Sequence, residues 1–213
     1  MQKRILRLLF SLCIVWPVMW LWLGLRIRHR EKLPKHGPSI VVANHNSHMD
    51  VFALLSLFPL RQQASVHPVA AADYFLRNKV MAWFSLNILN IIPVSRKGGD
   101  NNPLALCEQA LREGKTVILF PEGTRGDPGI LSPLKSGVWH LSQAVPEVPI
   151  VPIWLRGTDQ AMAKGSVIPL PLFIDVTVGD ALYFNQDKQQ SMSMLKEQLQ
   201  ALEQQTTGNH PHD

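Results

Sequence analysis

From residue 39 onward, short β-rich runs alternate with stretches that have the spacing of amphipathic helices. This alternation is typical of an α/β sheet, in which helices cover the strands on both sides. Most strand candidates are near-continuous apolar runs, which indicates burial on both faces and predicts a mixed, largely parallel sheet flanked by helices. The predicted strands are Ser39–Ala43, Val66–Ala71, Ile91–Val94, Thr116–Phe120, Pro149–Leu155 and Phe173–Val178.

Four helices are predicted between and after these strands. The best defined lies between Asn102 and Gly114, because Asn102 can cap its first turn and Gly114 can end it. The other three cover about residues 49–58, 135–144 and 192–205, and a polar tail follows from about residue 206. A chain of 213 residues is long enough for one such domain, which we assign to residues 31–213.

The segment from Leu8 to Leu25 carries no charged residue. Eighteen helical residues extend roughly 27 Å, close to the ~30 Å thickness of the hydrocarbon core of a bilayer. Three interpretations are open: a spanning anchor, a helix at the interface and a cleaved signal peptide. The last has the least support, because the apolar run leads directly into Arg26 and Arg28 without a small-residue cleavage site. We therefore expect residues 1–30 to form an N-terminal membrane helix.

The basic residues are concentrated around this apolar segment. Up to residue 35 the chain has eight Lys or Arg and one acidic residue, whereas the remainder has 13 basic and 15 acidic residues. This distribution favours an anionic membrane surface as partner and disfavours nucleic acid, which requires basic residues spread over a folded face. Five basic residues after the segment, against three before it, favour an inner or cytoplasmic membrane with the folded domain on the cytoplasmic side.

Three polar groups directly follow three of the predicted strands. They comprise residues 44–50, then Ser95 with Arg96, then residues 121–125. In open α/β sheets, ligands bind at the carboxyl ends of the strands. If these three strands are parallel, the three groups meet at one edge of the sheet.

His45 and Asp50 form a candidate pair for proton transfer. Side chains five residues apart on one continuous helix point about 140° away from each other, so they cannot pair there. A loop carrying His45, followed by a helix with Asp50 in its first turn, lets the carboxylate reach one imidazole nitrogen. The other nitrogen can then take a proton from an attacking hydroxyl, as in a hydrolase triad whose nucleophile is supplied by the substrate.

The same residues have simpler interpretations. The first polar group can serve only to cap a helix, Glu122 and Arg125 can form an ordinary salt bridge, and Arg96 can lie in a solvated turn. A metal-dependent hydrolase that uses His45, His48 and Asp50 as ligands is a further alternative. A membrane-anchored binding protein without catalysis is another. The chain has no Gly-x-Ser-x-Gly elbow and no Gly-x4-Gly-Lys loop, which disfavours serine hydrolases and nucleotide-binding enzymes.

Together, the motifs resemble those of the 1-acylglycerol-3-phosphate acyltransferase family and its glycerolipid acyltransferase relatives. The first family motif, Asn-His-x-Ser-x-x-Asp, is matched at residues 44–50, and the third, Phe-Pro-Glu-Gly-Thr-Arg, is complete at residues 120–125. The second is only partly matched at residues 90–96, because Asn90 stands where the family usually has glycine. The fourth, Val-Pro-Ile, occurs twice between residues 148 and 153.

This resemblance implies that residues 31–213 are an acyltransferase domain in which His45 deprotonates an acceptor hydroxyl and Asp50 orients His45. The hydroxyl attacks an acyl thioester of coenzyme A or acyl carrier protein, and neither a cofactor nor a metal is needed. The residues implied in binding the glycerol phosphate are Arg96, Glu122, Gly123 and Arg125, with Thr124 as a supporting hydrogen-bonding residue and Lys135 as an additional cation.

The favoured acceptor is 1-acylglycerol 3-phosphate, which gives phosphatidic acid in phospholipid biosynthesis. Another lysophospholipid, glycerol phosphate or a lyso-aminolipid remains an open alternative. The membrane helix fits this chemistry, since the acceptor comes from the bilayer while the thioester arrives from the aqueous side.

Overall fold

The computed structural model describes residues 2–75, 78–95, 102–126, 129–162 and 169–207. Within this part of the chain, seven strands form one sheet. The strands are β1 (Arg26–Arg28), β2 (Ser39–Ala43), β3 (Val66–Ala71), β4 (Ile92–Val94), β5 (Thr116–Leu119), β6 (Ile150–Arg156) and β7 (Asp175–Val178). Their order across the sheet is β1-β7-β6-β2-β5-β3-β4.

The expected mixed, largely parallel sheet is confirmed. Strands β2 to β6 all run in one direction, because β2 pairs in parallel with β5 and β6, and β3 pairs in parallel with β4 and β5. β7 pairs antiparallel with β6, and β1 pairs parallel with β7. The carboxyl ends of β2, β4 and β5 therefore lie at one edge of the sheet, as the motif argument required.

All six predicted strands are present, with ends that differ from the predicted ones by two residues or fewer. The sequence analysis missed β1, because its Arg-Ile-Arg sequence is short and cannot be distinguished from the basic flank of the apolar segment. β1 pairs with β7 from Arg26 onward. The sheet thus begins inside the range 1–30 that we assigned to the anchor.

Helices lie on both faces of the sheet. They are α1 (Gln2–Phe10), α2 (Met49–Leu57), α3 (Leu60–Gln63), α4 (Ala72–Phe75), α5 (Lys79–Asn87), α6 (Ala105–Arg112), α7 (Gly137–Ala144), α8 (Thr158–Ala161) and α9 (Lys188–Thr207). α1 continues through π-helical turns over Ser11–Val15 and Pro17–Trp22, and a 3-10 turn covers Arg30–Lys32. The four predicted helices correspond to α2, α6, α7 and α9. The predicted polar tail lies outside the described residues from residue 208 onward.

The side chains of β2 alternate between two apolar cores, as expected for a strand that is buried on both faces. Val41 and Ala43 pack in the core that includes α2 and the N-terminal helical segment. Ile40 and Val42 pack in the core that includes α6, α7 and α9. Two helical layers therefore enclose the sheet, and the loops at its carboxyl edge are positioned by a fully buried strand.

The N-terminal helical segment lies along the domain instead of projecting from it. Lys3–Trp22 is the one helical stretch among the described residues that is long and apolar enough to cross a bilayer, with a mean hydropathy of 1.9. The Phe10 ring makes an edge contact with Phe84, with 5.2 Å between ring centroids. The Ser11 hydroxyl donates a hydrogen bond to the Gln63 side-chain oxygen. One side of this helix is consequently covered by α2, α3 and α5.

Candidate active site

Polar residues cluster at the edge of the sheet where β2 and β5 end. β2 leads into a loop over residues 44–48, and β5 leads into a second loop over residues 120–126. The two loops are in contact, because the Gly126 N–H donates to the His45 carbonyl oxygen at 2.9 Å. β4 ends at the same edge and leads into Ser95, while Arg96, predicted to bind phosphate, lies outside the described residues.

The carboxylate of Asp50 binds the loop that carries His45. Asp50 lies in the first turn of α2 and is fully buried. Its Oδ2 accepts three hydrogen bonds: from His45 Nδ1 at 2.9 Å, from the Asn46 N–H at 2.7 Å and from the Ser47 N–H at 2.8 Å. The predicted pairing across the break between loop and helix is therefore present. The carboxylate fixes both the imidazole ring and the backbone that holds it.

The ring of His45 has one nitrogen held and the other available to a ligand. An ionised carboxylate can only accept hydrogen bonds, so Nδ1 carries the proton and Nε2 of the neutral ring is an acceptor. None of the described residues is hydrogen-bonded to Nε2. The ring stacks on Phe120, with 4.2 Å between centroids and 24° between planes, which restricts its rotation. A hydroxyl brought to Nε2 can thus transfer its proton to a pre-oriented base.

Asn44 anchors the start of the same loop to β6. Its amide nitrogen donates to the Leu155 carbonyl at 2.8 Å, and its amide oxygen accepts from the Leu155 N–H at 2.7 Å. The side chain is 1% exposed and extends the pairing of β2 and β6 by one step. The sequence analysis treated Asn44 as a motif residue or a helix cap and missed this role. A bidentate contact to a distant backbone leaves no local sequence pattern.

Glu122 contacts the backbone of two loops. Its Oε1 accepts from the His45 N–H at 2.8 Å, and its Oε2 accepts from the Ser132 N–H at 3.0 Å. The residue is 3% exposed. The resemblance implied that Glu122 binds the glycerol phosphate, but both carboxylate oxygens are occupied by N–H groups of the protein. No ion pair joins Glu122 to Arg125 in the described part of the chain, so the simple salt-bridge interpretation is wrong.

Gly123 and Lys135 lie against each other. The Lys135 N–H donates to the Pro121 carbonyl at 2.8 Å, which places this lysine beside the loop that follows β5. Gly123 has a φ of +71°, and a Cβ there would lie 2.5 Å from Lys135 Nζ. Glycine is therefore favoured by the left-handed backbone, whereas the exposed lysine side chain can move away from a Cβ. The predicted additional cation is brought to this loop.

Thr124 and Arg125 are exposed at the outer side of the site. Arg125 nevertheless acts electrostatically on the first loop. The pKa of His48 is lowered, first by its partial burial and then by the positive charge of Arg125. The two loops thus bring an exposed guanidinium near the histidine-bearing segment.

The alternative interpretations of these residues differ in how well the geometry fits them. The Ser47 hydroxyl accepts from the Met49 N–H at 3.3 Å, but the residue at the start of α2, His48, makes no side-chain capping hydrogen bond. For the metal hypothesis, no three His, Cys, Asp or Glu side chains within the described ranges are arranged to hold an ion. The Nδ1 atom of His45 is also already engaged by Asp50. The geometry thus favours proton transfer over metal ligation.

The described residues thus combine a largely parallel α/β sheet with a histidine–carboxylate pair at the edge where β2 and β5 end. The family model described as Acyltransferase matches residues 24–156, which is more than half of the chain. The chain belongs to the Acyltransferase family.

Similar proteins include two 1-acyl-sn-glycerol-3-phosphate acyltransferases. The chloroplastic BAT2 protein of Brassica napus is 33% identical over 143 residues, covering 66% of this chain and 39% of the relative. The beta form of Homo sapiens is 32% identical over 133 residues, covering 61% of this chain and 46% of the relative. The aligned part of the chain thus spans less than half the length of these curated relatives.

A solved structure has the same fold. The crystal structure of the 1-acyl-sn-glycerophosphate (LPA) acyltransferase PlsC from Thermotoga maritima matches with a TM-score of 0.74 and 20% sequence identity. The match covers 97% of this chain and 81% of that one. The arrangement of sheet and helices is therefore shared across nearly the whole chain.

Proposed function

We propose that this protein transfers an acyl group from an acyl thioester to the free hydroxyl of 1-acylglycerol 3-phosphate, giving phosphatidic acid for phospholipid biosynthesis. The observation that carries the proposal is the His45–Asp50 pair, in which a buried carboxylate holds Nδ1 and leaves Nε2 without a partner among the described residues. The names of the relatives from Brassica napus and Homo sapiens support the choice of acceptor.

In the proposed reaction, His45 Nε2 takes the proton of the acceptor hydroxyl while the hydroxyl oxygen attacks the thioester carbonyl carbon. The new ester C–O bond forms, the C–S bond breaks, and the proton passes from the imidazolium to the departing thiolate. Asp50 stabilises the imidazolium that forms transiently. The stacking of His45 on Phe120 and the contact of Glu122 with the His45 N–H keep the base in place throughout.

The phosphate of the acceptor is proposed to bind at the solvent side of the site. Arg125 supplies a planar guanidinium that suits phosphate oxygens, and Lys135 beside Gly123 adds a second cation. The family resemblance also implies Arg96, Glu122 and Thr124 in binding the acceptor. An acceptor without a phosphate, such as a lyso-aminolipid, would leave these cations without a ligand, which is why we favour a phosphate-bearing acceptor.

The acyl donor is proposed to be acyl-coenzyme A or acyl carrier protein, without a cofactor or metal. The protein is proposed to associate with the cytoplasmic membrane, with its domain on the cytoplasmic side. The apolar helical stretch Lys3–Trp22 supports the association. Because this helix packs along the domain, we favour a position at the membrane interface over one that spans the bilayer. A spanning helix would carry Gln63, which Ser11 contacts, into the bilayer as well.

The test is an assay of the purified chain against a panel of lyso-acceptors with both donor types. We expect the highest turnover with 1-acylglycerol 3-phosphate and no turnover in His45→Ala, with a melting temperature close to that of the wild type. Preference for a lyso-acceptor without phosphate would contradict the proposed acceptor. Loss of activity after exhaustive chelation, restored by a transition metal, would instead support the metal-dependent alternative.

A further inference from the structure

Helix α5 exposes apolar side chains where a surface helix of a soluble domain is normally polar. Among its nine residues, four large apolar side chains are exposed, with exposed fractions of 75% for Val80, 47% for Met81, 50% for Trp83 and 40% for Leu86. The helix contains no acidic residue, and its single charged residue is Lys79. A contiguous exposed patch of this kind marks an interaction surface.

The patch lies beside the N-terminal membrane helix. Phe84 of α5 contacts the Phe10 ring, and Arg7 of α1 donates to the Asn87 carbonyl at the end of α5 at 3.1 Å. α1 itself exposes apolar side chains, including Leu9 at 52%. The two helices therefore pack side by side, and each leaves apolar side chains uncovered.

The opposite face of the sheet has a different surface. The exposed residues of α9 are all Lys, Glu, Gln, Ser or Thr. In α6 the single exposed large apolar residue is Leu106, and the same helix carries an ion pair of Glu108 with Arg112. The helices α6 and α9 thus expose fewer large apolar side chains than α5 does.

We propose that α5 is a second membrane-binding element, which inserts Val80, Met81, Trp83 and Leu86 into the same leaflet that α1 contacts. Trp83 suits the headgroup zone, where amphipathic rings are favoured, and Lys79 suits anionic lipid. α5 lies in the connection that runs from the carboxyl end of β3, through α4, to the amino end of β4. Insertion of α5 therefore holds the domain against the leaflet that supplies the acceptor. This proposal rests on the membrane association proposed above.

The test measures binding of the full-length chain to vesicles of equimolar phosphatidylcholine and phosphatidylglycerol. We expect Trp83→Asp to lower the partition constant by about tenfold or more, because a carboxylate replaces an interfacial ring. The matched control Leu106→Asp makes the same kind of change on the opposite face and should bind like the wild type. Equal binding by Trp83→Asp and the wild type would overturn the proposal.

A second measurement does not depend on the aspartate variant being folded. Brominated lipids quench tryptophans that enter the bilayer, so the wild type should be quenched more than Trp83→Phe. Equal quenching would place Trp83 outside the bilayer and overturn the proposal. In parallel, acyl transfer is assayed with a short-chain lyso-acceptor below its critical micelle concentration. Trp83→Asp should retain this activity. If the wild type lacks this activity, the proposed function is overturned but the vesicle result remains valid. If the wild type does not bind vesicles, both membrane proposals are overturned.

Discussion

The buried and exposed ends of the candidate site are built differently. At the buried end, Asp50 and Glu122 are at most 3% exposed, and between them they accept five hydrogen bonds from the loops around His45 and Ser132. At the exposed end, Thr124 and Arg125 lie in solvent. The base is therefore held before any substrate arrives, whereas the exposed cation can reorient around an incoming group.

This difference separates two tasks. Proton transfer requires atoms held within a narrow range of distances, so preorganisation by buried hydrogen bonds raises its rate. A charged headgroup that arrives from a membrane surface needs attraction and an adaptable partner more than a fixed one. Substitutions at the buried end should thus lower kcat, and substitutions at the exposed end should raise KM.

The largest effect is expected for Asp50→Asn at the buried end. An asparagine can present its N–H₂ group to His45 and favour the wrong tautomer, with the proton on Nε2. By analogy with removal of a triad carboxylate, kcat should fall by about 10⁴-fold. Steady-state kinetics and a thermal melt of the same preparation check this prediction. A fully active Asp50→Asn would mean that the observed pairing has no part in the chemistry.

Glu122→Gln should give the next largest effect. A glutamine has one acceptor oxygen, so it cannot accept from both the His45 and Ser132 N–H groups, and the loop that carries His45 should shift. A displacement of about 1 Å can cost roughly 10²-fold in rate, and we expect a loss of this size in kcat with little change in KM. The exposed Glu113→Gln is the matched control and should behave as the wild type. A raised KM at unchanged kcat would instead indicate direct contact of Glu122 with the substrate.

Arg125→Ala, at the exposed end of the site, should raise KM more than it lowers kcat. Loss of a charge-assisted contact to phosphate costs about 2 kcal/mol, so KM for the acceptor should rise roughly thirtyfold while kcat changes less. Arg125→Lys should recover only part of the loss, because an ammonium cannot form the bidentate fork. Arg112→Ala on α6 removes an exposed arginine away from the site and is the control. A fall in kcat alone would show that Arg125 acts on the chemical step.

Sequence reasoning predicted the pairing of His45 with Asp50 because helical geometry allows few backbone arrangements in which the two side chains meet. His45 and Asp50 cannot meet on one helix, so a loop followed by a helix start was required, and α2 does start at Met49. The partners of Glu122 could not be predicted, since backbone N–H groups of distant loops leave no mark in a side-chain pattern. Helix α5 was missed for another reason: its apolar residues face outward as well as inward and therefore show no helical period.

Asn90 shows how the structure explains a departure from the family motif. Its φ is +61°, in the left-handed region that glycine adopts freely and that asparagine tolerates better than most residues. Its side-chain nitrogen also donates to the Ala64 and Val66 carbonyls, both at 3.2 Å. An asparagine can therefore adopt the left-handed backbone here and tie it to the start of β3.

The smallest effect on activity is expected at His67, which contacts Asn90 near the amino-terminal end of β3, at the sheet edge opposite to the site. His67 Nδ1 donates to the Asn90 carbonyl at 3.1 Å, and the Asn90 side-chain nitrogen donates to His67 Nε2 at 3.1 Å. Burial, followed by the positive charge of Lys115, lowers the pKa of His67 to about 4. The fold therefore requires the neutral ring.

The folded state binds a proton at His67 less readily than the unfolded chain, whose histidine pKa is about 6.5. The stability from this residue is fully present above pH ~6.5 and is lost as the pH falls towards about 4. After allowance for partial solvent exposure, the loss is about 1 kcal/mol, or roughly 2–4 °C in melting temperature. His67→Asn keeps a donor for Asn90 but does not titrate, so its melting temperature should fall less between pH 7 and pH ~4.5. The exposed His140→Asn is the control and should follow the wild type, and kcat at neutral pH should be unchanged in both. If the melting temperatures of His67→Asn and the wild type fall equally at acid pH, protonation of this histidine is not linked to folding. A lowered kcat in His67→Asn would show that the far edge of the sheet also positions the site.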